Sequence, residues 1–544
     1  MTRMTGAEAI VATLRQHGVD TVFGLPGVQL DNLFDALHGA RQSVRTLHAR
    51  HEQGAAYMAL GYAQASGKVG VFTVVPGPGV LNAAAALCTA SGSNVPVLCL
   101  AGQIPSRQIG LGLGIPHEIL DQPRALSGVV PWVGRAEAPG EVPARLGEAF
   151  GAMLAGRHQP AVFEMAPDAM GAVAEVVLAA PAEPALAMPD GDAIARAARV
   201  LASARCPAIF VGSGVFGAEA ELRAVAERLG APVVMSRTGR GALADRHRLA
   251  LGMLGGQAIW DEVDVVLVVG SRFLAPALSW GRGDAVQVVR IDVDPVQIGK
   301  PRPAGIAITA HAAPALAALL AALGAGAAPD RGPWLDAVRA GVAASLAALE
   351  PQAGFARAIR DAVAEDGIIV TDVTQVATFL QYGMPVQLPR TLLTPGYQGT
   401  LGWAYPAALG AKVALPSRQV VSISGDGGFM FNIQELSTAM AHGIAVVAVV
   451  FSDGAFGNVK RIQRDSFGAR HIAVDLHNPD FVALARSFGM NAARAETPDE
   501  LGTALRRALA SGGPALIEVP VGEMPSIWKL IRRPPSQGPA PAGG

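Results

Sequence analysis

Residues 418–457, RQVVSISGDGGFMFNIQELSTAMAHGIAVVAVVFSDGAFG, carry two apolar runs joined by a helical stretch, and each run ends in a turn built on aspartate and glycine. The pattern predicts a strand over Val420–Ser424 and the turn Gly425-Asp426-Gly427-Gly428. A helix follows from about Phe431 to His442, with Gly443 as its stop. A second strand ends at Phe451, before Ser452-Asp453-Gly454-Ala455. Such a βαβ unit places both turns at the C-terminal edge of one parallel sheet, where ligands bind in open α/β folds. Glycine backbones let an anion approach, and a helix N-terminus attracts it. Asp426 and Asp453, ending neighbouring strands, repel each other unless a cation sits between them, and oxygen ligands select a hard cation such as Mg²⁺ or Ca²⁺. The competing reading makes Asp426 a helix cap and Asp453 a turn residue.

The same grammar runs through the whole chain. TVFGLPG (21–27), VGVFTVV (69–75) and VPVLCLAG (95–102) are short apolar runs ending on Gly or Pro or followed by Pro, separated by Ala-rich helical segments. That is the pattern of α/β folds with parallel sheets. Two Ala/Pro-rich stretches, 178–190 and 322–334, read as linkers. They divide the chain into blocks at 1–178, 190–323 and 335–532, with a Pro/Gly-rich tail at 533–544 expected to be flexible. The expected fold is three doubly wound parallel-sheet α/β domains.

Bulk composition narrows the partners. Hydrophobic residues make up 51% of the chain and charged residues 16%, so much surface is buried, between subunits included. The 43 basic and 44 acidic residues leave a net charge of −1, which argues against nucleic acid or an anionic membrane as a partner. The longest apolar run, 444–451, is far short of the ~20 residues that span a bilayer. The N-terminus reads as an amphipathic helix capped by Thr5, without the apolar core of a signal peptide. Cys88, Cys99 and Cys206 lack metal-ligand spacing and fit reduced thiols, so a cytoplasmic protein is expected.

Two further stretches bear on chemistry. Gly212, Gly214 and Gly217 form a G-x-G-x-x-G between a strand and a helix, but the following strand lacks the acid that would hold a ribose hydroxyl. A tight strand-to-helix turn explains the glycines as well as a nucleotide does. In RHEQGAAYMALGYA (50–63), Glu52 heads a stripe of small residues at Ala55, Ala56, Ala59 and Ala63. A carboxylate is thereby aimed into a close helix contact.

These segments resemble the thiamine-diphosphate (ThDP) enzymes of the acetolactate synthase, pyruvate oxidase and benzoylformate decarboxylase superfamily, over nearly the whole chain. The GDG turn is similar to the family's "GDG…NN" signature. The resemblance implies that Asp426, Asp453 and the carbonyl of Ala455 bind Mg²⁺, with Gly425, Gly427 and Gly428 cradling the diphosphate. Ser452-Asp453 replaces the family's Asn-Asn, which adds a negative charge and implies a firmer grip on the metal. TPGYQGTLG (394–402) resembles the "GTMG" segment: Leu401 then wedges between the cofactor rings, and the carbonyl of Gly399 accepts from the 4′-amino group. TDVTQ matches "SDVGQ", so Thr374 and Gln375 are diphosphate contacts.

HARHEQGAAYMALGYA is similar to "RHEQGAAHMADGYAR", which makes Glu52 the glutamate that hydrogen-bonds pyrimidine N1′ and favours the imino form that deprotonates C2. Pro26, Gly27, Pro76 and Asn82 match the pyrimidine-side loops. The resemblance also implies a pyrimidine-binding N-terminal domain, a central domain and a diphosphate-binding C-terminal domain. The site then lies at a dimer interface in a homodimer or homotetramer, with a close, intersubunit helix contact at the stripe behind Glu52. Val28, Gln29, His117, Val459 and Ile462 fall at substrate-side positions.

Small 2-oxo acids or aldehydes are the implied substrates. Simple decarboxylases place a Glu where Val459 stands. The apolar residue removes a proton donor near the enamine and favours carboligation, as in acetolactate synthases. Two departures alter the acceptor side. The synthases' "FDDR" aligns with Phe273-Leu274-Ala275-Pro276, which lacks the Arg, and their Trp aligns with Ile462. The same "FDDR" helps to hold FAD in the synthases, so the resemblance does not carry FAD over. The reading is an acetolactate synthase-like carboligase. Its alternatives are a non-ligating 2-oxo acid decarboxylase, a benzaldehyde-lyase-like enzyme, a nicotinamide dehydrogenase built on Gly212–Gly217, and a catalytically silent paralogue that binds cofactor.

Overall fold

The two apolar runs are strands, Val420–Gly425 and Val447–Ser452, and they pair in parallel with Gly425 opposite Phe451. The computed structural model describes residues 1–181, 186–326 and 328–532. The 533–544 tail, and part of the 178–190 stretch, lie outside the described residues. The chain divides into two units, one of Met1–Ala185, Gly367–Thr374 and Leu393–Gly522, the other of Leu186–Asp366, Gln375–Leu392 and the residues from Glu523 on.

The first unit is built round two six-stranded sheets. One runs Arg45–His48, Thr21–Gly24, Gly70–Val74, Val97–Gly102, Ala161–Met165, Trp132–Ala136, with every neighbouring pair parallel. The other begins at the edge strand Leu392–Leu393 and continues Ile368–Thr371, Val420–Gly425, Val447–Ser452, Ala515–Pro520, Asn491–Arg494, with the last five strands parallel. Its central strands are β-branched and buried on both faces, as crossover helices require. Ile368–Thr371, Val420–Gly425 and Val447–Ser452 are adjacent, so the turns that follow them share one edge. The second unit repeats the design in a parallel sheet ordered Ala250–Leu251, Val233–Met235, Pro207–Val211, Val265–Val269, Gln287–Asp292, Ile306–Thr309. Three parallel-sheet α/β layers therefore stand as the sequence implies. The helix Gly332–Ala347, at the end of the expected 322–334 linker, packs within this second unit and buries Leu335.

Three local expectations change. Thr5 does cap a helix, Gly6–Gln16, through a reciprocal bond with Glu8, but Thr2–Thr5 is a strand paired antiparallel with Val173–Val176. The helix expected from Phe431 begins only at Glu435. Asp426–Phe429 forms a separate single turn, and Phe431 and Asn432 donate three residues back, to Gly428 and Phe429. The third change concerns the stripe behind Glu52, which the sequence reading assigns to a neighbouring subunit. The structure fills it from within the chain. The helix Glu52–Ser66 lies against the helix Ala404–Ala414, and both are buried on nearly every side. A methyl group added to Gly61 would lie 2.0 Å from the Ala407 oxygen, and one added to Gly410 only 1.8 Å from the Met58 oxygen. The two backbones touch at Gly61 against Ala407 and at Gly410 against Met58, and this closeness is what the small residues serve.

Candidate active site

The Asp426 carboxylate is buried at the end of its strand. Oδ1 accepts from the Gly427 N–H at 2.8 Å, and Oδ2 accepts from the Gly454 N–H at 2.8 Å and from Asn478 Nδ2 at 2.6 Å. Asp453 sits on the adjacent turn with a solvent-facing edge. The protein packed round its carboxyl, and then the charge of Asp426, push it up to about 6. Its Oδ1 accepts from the Ala455 N–H at 3.2 Å. A Cβ on Gly427 would meet the Phe456 ring at 2.8 Å, and one on Gly457 would sit 2.5 Å from Asp453 Oδ2. Both positions are packed too closely by neighbouring side chains to take a side chain of their own. Among the described residues, no group of three His, Cys, Asp or Glu side chains stands ready to hold a cation unaided. Two adjacent carboxylates beside glycine turns, with Asp453 raised in part by the charge of Asp426, nonetheless fit a hard cation whose remaining ligands would be backbone carbonyl and phosphate oxygens.

Asp372, one residue beyond its strand, is a member of this edge that sequence reasoning missed. It lies in the TDVTQ segment, of which only Thr374 and Gln375 are singled out above. Its carboxylate accepts from the Val373 N–H at 2.8 Å and the Gly402 N–H at 3.0 Å, and it faces Gly428, where a Cβ would be 3.3 Å away. Complete burial pushes it up to about 7, against the bonds from Val373, Gly402 and Ala404. Asp372 therefore ties together the loops that carry Thr374, Leu401 and Gly428. Gly399 and Gly402, on either side of Leu401, have φ of +59° and +78°, values that glycine adopts without strain. Thr400 Oγ1 lies 2.8 Å from Thr89 Oγ1. Gln375 opens the helix Gln375–Gly383, and its Oε1 is buried without a partner.

The N-terminal sheet presents a second group of loops at the ends of its strands. Glu52 is the first residue of its helix, capped by His51, and its Oε2 accepts from Asn82 Nδ2 at 3.1 Å. Asn82 lies on the helix Pro78–Ser93, which follows Pro76 and Gly77. Gly77 has a φ of +61°, and a Cβ there would sit 2.5 Å from the His117 oxygen. His117 also has positive φ, +69°, and its Nδ1 lies 2.8 Å from Gln29 Oε1. Pro26, Gly27, Pro76 and His117 thus stand on loops, Gln29 on a short 3-10 turn and Glu52 and Asn82 in helices, with side-chain contacts joining Glu52 to Asn82 and Gln29 to His117. Val28 points outward, 78% exposed, and Val459 and Ile462 lie on the exposed face of the helix Gly457–Ser466. Beneath Gly77 is a network that the sequence did not reveal. Gln122 accepts from the Gly77 N–H and donates to the buried Glu164, which also takes a bond from Arg135 Nε. Gln122 and Glu164 are distant in sequence and follow no motif, so no pattern points to them.

In the second unit the glycine pattern has a packing cause. A Cβ on Gly212 would sit 2.4 Å from the Gly270 oxygen, and one on Gly214 would be 2.7 Å from Gly270 Cα. Two strand-end loops cross in backbone contact, which supports the tight-turn reading. Phe273 is buried with Phe210, Trp260 and Trp280 in an aromatic cluster.

Comparison with known proteins agrees with this layout. Residues 4–125 match the N-terminal TPP binding domain of thiamine pyrophosphate enzymes, residues 194–319 their central domain, and residues 372–519 their C-terminal TPP binding domain. The chain is 33% identical to a probable acetolactate synthase large subunit of Methanocaldococcus jannaschii, over 95% of this chain and 92% of that protein. It is 34% identical to a probable 2-ketoarginine decarboxylase of Pseudomonas aeruginosa, covering 95% and 94%. It is 31% identical to the acetolactate synthase isozyme 1 large subunit of Escherichia coli, covering 97% and 96%.

Proposed function

The chain belongs to the thiamine pyrophosphate enzymes, and from that premise we propose that it is a Mg²⁺-dependent carboligase that takes CO₂ from a 2-oxo acid and joins the remainder to a second carbonyl compound. Bound thiamine diphosphate supplies the carbon nucleophile and the electron sink for that chemistry. The protein's part is to hold, orient and protonate. Asp426, Asp453 and the Ala455 carbonyl hold the metal; Gly425, Gly427, Gly428, Thr374 and Gln375 receive the diphosphate. Pro26, Gly27, Pro76 and Asn82 line the pyrimidine. Leu401 would pack against the cofactor's two rings, and the Gly399 carbonyl would accept from the amino group. Glu52, oriented by Asn82, shares a proton with the ring nitrogen N1′.

The observation that carries ligation over simple decarboxylation is Val459. Six residues past Asp453 the helix presents an exposed apolar side chain, so that position supplies no proton donor to release an aldehyde. Val459→Glu is expected to shift product from ligated ketone towards aldehyde, read as the ratio of the two by mass spectrometry. The relative described as a 2-ketoarginine decarboxylase supports the second reading, decarboxylation without ligation. A panel of 2-oxo acids with ThDP and Mg²⁺, scored for CO₂ and for ligated product, separates them: CO₂ with aldehyde alone rejects the carboligase, and no CO₂ from any acid rejects both.

His117, with Gln29, is assigned to the substrate carboxylate or carbonyl as a donor. His117→Ala is expected to lower kcat/KM by about 10-fold or more, the scale of one lost hydrogen bond to a charged group, while ThDP affinity stays as it is; unchanged kinetics reject the role. A second subunit is proposed to complete the site. Val28, Leu81, Tyr397, Met430 and Phe431 are exposed apolar residues on or beside the loops assigned to cofactor, and they suit a protein partner better than water. The proposed domain bounds remain 1–178, 190–323 and 335–532. Among the described residues no helix is long and apolar enough to cross a membrane, and the three free cysteines suit a reducing compartment such as the cytoplasm.

A further inference from the structure

Glu435 is a buried carboxylate with no part in the scheme above. It opens the helix Glu435–His442 and is fully enclosed. Oε2 accepts from the Arg50 N–H at 3.1 Å and from the Thr438 hydroxyl at 2.5 Å, and the His51 N–H is also bonded to the carboxylate. Oε1 is buried without a partner and lies against Gly54, where a Cβ would be only 2.3 Å away. One turn earlier, Asn432 Nδ2 reaches both Gln53 Oε1, at 3.3 Å, and the Gly402 oxygen, at 2.7 Å. Residues 50, 51, 53 and 54 are therefore all held from one side, and Glu52 is the residue between them. Burial pushes the Glu435 carboxyl up, so keeping an acid here is unfavourable, and an apolar side chain of the same size would fill the space. What such a side chain would lack is an acceptor for two N–H groups at a helix start that has no intrahelical partners for them.

We propose that Glu435 is a positioning residue for Glu52: by accepting the Arg50 and His51 N–H groups and occupying the space opened by Gly54, it sets the angle at which the helix begins and so aims the Glu52 carboxylate. The inference rests on the reading of Glu52 as the group that shares a proton with N1′. It also accounts for Gly54, since any side chain there would displace Glu435.

The test compares Glu435→Leu, Glu435→Gln, Gly54→Ala and Glu52→Gln in the full-length protein with ThDP and Mg²⁺. The readouts are hydrogen–deuterium exchange at C2 of the bound cofactor, ThDP affinity, and kcat against KM. Loss of aim costs about 10- to 100-fold. Glu435→Leu is expected to lower exchange and kcat together by that factor, with KM and ThDP affinity within about twofold. Glu435→Gln, which keeps an acceptor oxygen, restores most of the loss, and Gly54→Ala reproduces it with the carboxylate still present. A purely structural role would instead lower thermal stability and leave the exchange rate of folded protein unchanged. Normal exchange in Glu435→Leu, or in Gly54→Ala should the leucine variant not fold, overturns the proposal when Glu52→Gln has lost exchange. Normal exchange in Glu52→Gln overturns the reading of Glu52 itself.

Discussion

Glu52→Gln lowers kcat by about 10²- to 10⁴-fold, the range for loss of a positioned acid–base group, while ThDP and Mg²⁺ still bind. The asymmetry follows from where the side chain stands. Glu52 is the first residue of a helix whose buried residues begin at Gly54 and which packs farther along against Ala404–Ala414, so the backbone does not depend on its charge. Its side-chain bond to Asn82 is one that glutamine can also make through its amide oxygen. What glutamine cannot do is take up and return a proton at N1′. The expected signature is a fall in kcat with little change in KM or in cofactor affinity. A variant that binds ThDP poorly but turns over normally when saturated would make Glu52 a binding group instead.

Asp426→Ala has the opposite signature: cofactor is lost rather than turnover. The carboxylate is buried and accepts from Gly427, Gly454 and Asn478, so it organises two turns as well as facing Asp453. Removing it leaves buried donors without an acceptor, at about 1–3 kcal/mol for each one left unsatisfied. The turn after Val447–Ser452 then loosens as the metal ligand disappears. Titration of ThDP in the presence of Mg²⁺ is expected to show a loss beyond the roughly 10- to 100-fold that an outer partner of a metal ligand costs. Asp426→Asn keeps an acceptor oxygen and serves as the folded control; it is expected to regain stability but not affinity. Unchanged affinity in both variants would remove Asp426 from the site.

The sequence made the edge of the C-terminal sheet readable because strand, turn and helix signals are local there. Val420–Gly425 and Val447–Ser452 fall where the apolar runs place them, and the two aspartates end adjacent strands. The helix after Gly428 starts at Glu435, later than its apolar pattern implies. The apolar pattern continues through Phe431 and Ile433, yet Asn432 is held out of helical register by its bonds to Gly402, 30 residues away, and to Gln53, 379 residues away. The small stripe behind Glu52 announced a close helix contact but not its partner, since periodicity shows which face is buried and not what covers it. Asp372, Glu435, Asn478 and the Gln122–Glu164 pair were invisible for the same reason. Each is a single polar residue whose meaning depends on backbone N–H groups or side chains brought to it by the fold. Gly212 and Gly214 show the reverse case, a recognisable motif whose glycines have a packing cause in the loop at Gly270 and Ser271.

The role of Glu52 in activating the cofactor can be measured without substrate. ThDP and Mg²⁺ are bound to the wild-type protein and to Glu52→Gln in deuterated buffer, and exchange of the C2 proton is followed by acid quench and NMR. Exchange in the wild-type complex is expected to be orders of magnitude faster than in free ThDP, and in Glu52→Gln close to that of the free cofactor. Equal rates for wild-type complex and free cofactor, or fast exchange that survives in Glu52→Gln, would contradict it.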